Sequence, residues 1–109
     1  MKRMKTKYSG ALSSGAAFKL NLTSGRCVLH GIWMSSNSGG GPGQPPQVKF
    51  STGNDYADVR CQVSCTTNSD GTNYASGCTF DIPSDGILFE DGIYVEGNAI
   101  ANTVTIFYT

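Results

Sequence analysis

The first 53 residues of this 109-residue chain contain no acidic residue, and the remaining 56 contain a single basic one, Arg60. Lys2, Arg3, Lys5, Lys7, Lys19, Arg26 and Lys49 give the front a formal charge of +7, and eight carboxylates with Arg60 give the back −7. Long apolar runs are also missing. No stretch approaches the roughly 18 apolar residues of a membrane-spanning helix, and the basic Met1-to-Lys7 segment is followed by Tyr8-Ser9-Gly10-Ala11 instead of a signal-peptide core. The chain is therefore expected to be soluble and made in a reducing compartment, with Cys27, Cys61, Cys65 and Cys78 as thiols. No window of ten or more residues combines helical periodicity with start and stop signals, which excludes a helix bundle.

What is present is turn-rich and extended. Fourteen glycines with abundant Ser, Thr and Asn, against 15% charged residues, are the usage of a β-rich domain. The length suits one domain. Residues 1–15, basic and then small and polar, offer nothing to pack and read as a flexible basic N-terminal arm. Residues 16–109 read as the folded unit. Phe18-Lys19-Leu20-Asn21-Leu22 alternates with period two, the pattern of a half-buried strand. Cys27 to Met34 is a mostly continuous apolar run that predicts a central strand covered on both faces, with Trp33 in the core.

Ser35 to Pro46, SSNSGGGPGQPP, is too rich in Gly and Pro for helix or internal strand and reads as a long exposed loop. Beyond Val48-Lys49-Phe50, the segment from Val59 to Cys65 alternates, which directs Val59, Cys61, Val63 and Cys65 inward. Thr66 to Gly77 is a second polar loop, and Cys78 to Ile82 a short strand that Pro83 stops. Ile87-Leu88-Phe89 and Ile93-Tyr94-Val95 flank Glu90-Asp91-Gly92, a hairpin signal. A last strand follows from Asn102, with Val104, Ile106 and Tyr108 on one face. Short strands at this spacing predict an all-β single domain, a β-sandwich of jelly-roll-like type.

The residues that could carry chemistry have plainer explanations. Cys61 and Cys65 have a spacing that zinc sites use, but four positions along a strand separate them by about 13 Å. No metal site and no cofactor is expected, and buried thiols account for the cysteines, with a disulfide as the alternative if the protein matures outside the cell. His30 stands three residues from Cys27, on the opposite face of one strand, so a Cys–His nucleophile pair is not expected there. Asp85 and Asp91 each precede a glycine, and turn formation explains both better than acid–base work does. Asn68-Ser69-Asp70-Gly71 opens like a calcium loop but meets Gly77 where the closing Glu belongs. The chain is not expected to be an enzyme.

Charge opposition of this kind serves association. The arm residues Lys2, Arg3, Lys5, Lys7 and Tyr8, and the loop residues Asn37, Pro42, Gln44 and Pro45, are the candidate partner-binding set. Four cations with one neighbouring aromatic on a neutral domain make nucleic acid an improbable target, so an acidic protein surface is the preferred one.

Ile82 to Val95, IPSDGILFEDGIYV, closing on Val104-Thr105-Ile106-Phe107-Tyr108, resembles the ending of small virion structural proteins of tailed bacteriophages, marine ones in particular. Gly25 to Met34 is a looser echo. The resemblance implies a small β-sandwich that decorates a capsid or belongs to the tail, usually a symmetric oligomer. The resulting expectation is a non-enzymatic capsid decoration or cement protein, assembled in the host bacterial cytoplasm and resident in the virion. It would bind the major capsid protein or other virion proteins and itself as a homo-oligomer, with a trimer favoured. A tail or neck component is the first alternative. A carbohydrate-binding sandwich stacking sugars on Trp33, Tyr56 and Tyr74 is the second.

Overall fold

A computed structural model describes residues 3–10, 18–36, 47–64, 77–97 and 101–109. Among them lie nine strands and no helix: β1 (Lys5–Tyr8), β2 (Phe18–Thr23), β3 (Cys27–Ser36), β4 (Gln47–Thr52), β5 (Asp58–Ser64), β6 (Gly77–Asp81), β7 (Ile87–Phe89), β8 (Ile93–Gly97) and β9 (Ala101–Tyr108). They form two antiparallel sheets. One runs β1-β9-β3-β6, with β7 pairing the first residues of β3 beside β6, and the other runs β2-β8-β4-β5. With the three-residue β7 set aside, the other eight strands in chain order stack as 1-8-3-6 over 2-7-4-5. That is the paired Greek-key arrangement of a jelly roll, so the expected all-β sandwich is the architecture found.

The core is the alternate residues of both inner faces. Leu29, Ile32, Met34, Phe89, Val104 and Ile106 come from the first sheet, and Leu22, Val48, Phe50, Ile93 and Val95 from the second, all buried. Each such side chain taken from water contributes about 1.5–3 kcal/mol.

Of four register shifts among the described strands, one lies between Ser35 and Ser36 at the end of β3, and the other three decide which residues face in. In β2, Asn21 pairs Tyr94 and Thr23 pairs Ile93, so Leu22 is the extra residue, and Leu22 and Thr23 are both buried. In β3 the register shifts between Leu29 and Gly31. Leu29 and Ile32 therefore share the inner face, and Trp33 turns outward. In β5, Phe50 pairs Cys61 and Ser51 pairs Val59, which leaves Arg60 as the extra residue. A bulge re-aims a side chain in this way.

Several expectations are corrected here. Lys5–Tyr8, assigned to a flexible arm, is the edge strand β1 paired with β9; Lys2 and residues 11–15 lie outside the described residues. Trp33, expected in the core, is 56% exposed, and Val59, expected inward, is exposed as well. Ile87–Phe89 and Ile93–Gly97 do not form a hairpin, because β7 pairs β3 while β8 pairs β2 and β4. The Glu90-Asp91-Gly92 turn carries the chain from one sheet to the other. Gly92 makes the crossing possible: its φ is 93°, and a β-carbon there would stand 2.4 Å from the Thr23 carbonyl oxygen. Cys78, expected as a thiol, is disulfide-bonded, while Cys27 and Cys61 are free. Cys65 lies outside the described residues.

Candidate functional site

The jelly-roll winding sends the two ends of the charge split to opposite flanks. β1 and β2 form one lateral edge of the two sheets, and β5 and β6 form the other. Arg3, Lys5, Lys7 and Lys19 consequently lie on one flank, and Asp58 and Asp81 on the other. Arg60, the sole cation of the acidic half, is bound by Asp58 and Glu90.

β1 shows how the basic flank is built. Its residues Thr6 and Tyr8 pair with Phe107 and Thr105 and share their outer face, while Lys5 and Lys7 pair with Tyr108 and Ile106 and share the inner one. All four β1 residues are exposed, so the lysines project past the rim of the sandwich. Inward-directed lysines on an edge strand resist strand-to-strand addition by another chain. The flank can still meet a partner through its charge. Of the candidate partner-binding set, Arg3, Lys5, Lys7 and Tyr8 are thus brought together; Lys2, Asn37, Pro42, Gln44 and Pro45 lie outside the described residues.

Two aromatic groups occupy the outer faces. Trp33 and Phe107 meet edge to face, ring centres 5.4 Å apart, on the sheet that carries β1. Thr79 and Thr105 pair with Trp33 on its two sides, and Tyr8, 57% exposed, continues the row. On the opposite sheet Tyr56 and Tyr94 meet edge to face at 5.7 Å, and the Lys19 ammonium stands 5.2 Å from the Tyr56 ring centre. Partial burial, followed by the nearby Tyr94 and Glu96, raises the Tyr56 hydroxyl above its usual pKa. Tyr56 is thereby engaged within the protein. Tyr74 lies outside the described residues.

Among the groups that could act in catalysis, His30, Cys27 and Glu96 have local partners. His30 Nε2 is 3.0 Å from the Thr109 hydroxyl, and Cys27 Sγ is 3.2 Å from the Thr23 hydroxyl. That hydroxyl also accepts the Ile93 N–H at 3.1 Å, which holds the β2 end against β8. Glu96 pairs with Lys19 at 3.7 Å. Burial raises the Cys61 thiol above its ordinary value. Among the described residues no three His, Cys, Asp or Glu side chains gather where a metal ion could sit.

Sequence reasoning placed Trp33 in the core and offered it as a stacking residue only for the carbohydrate-binding alternative, although a signal for its exposure exists. From Ile32 the strand reads apolar, Trp33, apolar, Ser35, and the serine two positions on marks the face that the tryptophan shares. No protein-family model matches the chain, and neither does any curated protein.

Proposed function

We propose that the chain is a non-enzymatic structural subunit of a virion, most simply a capsid decoration or cement protein that binds neighbouring head subunits and copies of itself, with a trimer favoured. The observation that carries this reading is the lateral charge split of one sandwich: Arg3, Lys5, Lys7 and Lys19 on the β1–β2 flank, and Asp81 with the Asp58–Arg60 ion pair on the β5–β6 flank. Identical subunits, or a subunit and an acidic neighbour, dock side by side on such flanks, and closed rotational symmetry turns that contact into a ring. The C-terminal resemblance to small phage virion proteins supports the same role, while the jelly roll alone, being shared by capsid and lectin domains, supports no function over another. The docking flank on this reading is Arg3, Lys5 and Lys7.

Attachment to stripped particles tests it. The Lys5→Glu/Lys7→Glu variant should attach more weakly than the unaltered chain, and attachment should weaken as salt rises. Attachment indifferent to both overturns the role of the flank. Copy number separates head from tail, because a head decoration is present in hundreds of copies and a tail or neck ring in roughly six to twelve.

One observation favours a second reading, a carbohydrate-binding sandwich. Trp33 lies exposed beside Phe107 between threonines, an arrangement able to stack a sugar ring and bond its hydroxyls. Glycan-array binding abolished by Trp33→Ala would favour it over the virion role.

A further inference from the structure

At the end of the basic flank, between β1 and the turn from β2 to β3, the surface opens into a cleft of about 440 Å³. Arg3, Lys5 and Arg26 line it, together with Ser24 and the ring-bearing Tyr108. No Asp or Glu side chain contributes to the wall, which Thr23, Cys27 and Thr109 complete, and none of the three cations forms an ion pair among the described residues. Gathering three like charges in one concavity costs electrostatic free energy that a bound anion offsets. Arginine adds a planar fork that takes two oxygens of a tetrahedral oxyanion at once. The volume exceeds what one small ion fills and falls within the range of small-ligand pockets.

We propose that this cleft binds a tetrahedral oxyanion carried on a small organic body, a phosphate or sulfate ester. Arg3, Lys5 and Arg26 hold the anionic group, the Ser24 hydroxyl donates to it, and the Tyr108 ring carries the body. This site shares Arg3 and Lys5 with the docking flank described above but adds Arg26, Ser24 and Tyr108 to them, and it stands whether or not the chain assembles into a virion.

The test is titration of the full chain with glucose 6-phosphate, glucose 6-sulfate and glucose, followed by amide NMR and calorimetry. The expected result is saturable binding of one or both esters, no binding of glucose, and shifts centred on Ser24, Arg26 and Tyr108. The comparison of the two esters decides which oxyanion the cleft prefers. Losing one charge-assisted contact weakens binding roughly tenfold, so Lys5→Glu and Arg26→Glu should each lose at least that. Lys19→Glu, which changes net charge equally on the same flank but outside the cleft, should stay within about twofold of the unaltered chain. Failure of both esters to bind, or an equal loss in Lys19→Glu, overturns the proposal. So do shifts at the cleft that follow protein concentration instead of ester, a result that gives the cleft to the acidic flank of a second copy.

Discussion

Arg60 donates to both oxygens of Glu90, through Nη1 at 3.1 Å and Nη2 at 2.7 Å, and so ties the edge of one sheet to the turn that leaves the other. The same guanidinium holds Asp58 through Nε and Nη2, each at 2.9 Å, and donates to the Leu88 carbonyl at 3.2 Å. The bulge in β5 makes this reach possible, because it turns Arg60 out of the pleat and toward β7.

The clamp should show in the acid limb of stability. Its hydrogen bond to Arg60 lowers the Asp58 pKa below the ordinary 3.8. A carboxyl whose folded pKa is depressed stabilises the fold above its unfolded pKa, and that contribution is lost as pH falls through the folded one. Thermal melts from pH 6 downward should therefore lose stability below about pH 3.8 more steeply in the unaltered chain than in Asp58→Asn. Parallel curves would remove the clamp from the account.

Gly92→Ala should be among the most damaging single-methyl changes in the chain. The added β-carbon meets the Thr23 carbonyl oxygen at 2.4 Å, at a φ of 93° that side-chain-bearing residues rarely adopt. Left-handed strain alone costs about 1–3 kcal/mol, and the clash adds to it. Urea denaturation measures the loss. A change below about 0.5 kcal/mol, the scale of a neutral surface substitution, would mean that the crossing between sheets tolerates a different path.

Ile32 and Trp33 are neighbours with opposite fates, fully buried and 56% exposed. Ile32→Ala should cost about 2–5 kcal/mol, and Trp33→Ala within about 1 kcal/mol. Trp33 is the only tryptophan, so its fluorescence reports on one site. Emission at the wavelength of a solvated indole is expected, quenched readily by iodide.

The cysteines should separate by chemistry. Under non-reducing conditions the Cys78 peptide should be recovered joined to a second cysteine peptide. Cys27 is buried, and Cys61 is held protonated by its surroundings. A raised thiol pKa keeps the reactive thiolate scarce below the ordinary value of 9.0. Iodoacetamide at pH 8 should consequently label both slowly until denaturant is added.

Much of the fold is legible in the residues, since seven of the nine described strands fall on segments expected to be extended, such as Phe18–Leu22 and Asn102–Tyr108. Alternation is a local signal, and it fails where a non-local one takes over. β1, Lys-Thr-Lys-Tyr, carries no apolar alternation, because its lysines face the rim and its strand character comes from pairing with β9. Bulges at Leu22, His30 and Arg60 shift parity by one residue, which moved Trp33 and Val59 outward. An Asp-Gly turn looks the same in sequence whether it closes a hairpin or passes between sheets; the Thr23 carbonyl over Gly92 decides, and it lies far off in the chain. The charge split was visible as a count. Its conversion into two flanks required the jelly-roll strand order.

Sedimentation velocity of charge-swapped variants tests the assembly claim most directly. Exposed charges act over about 10 Å at 0.1 M salt and about 3 Å at 1 M. The unaltered chain should sediment as a closed oligomer at low salt and dissociate as salt rises. Lys5→Glu/Lys7→Glu and Asp81→Lys should each sediment as monomers, and mixing the two should restore association between unlike variants. A monomer at every salt and concentration, or an oligomer whose mass ignores both reversals, would contradict the account.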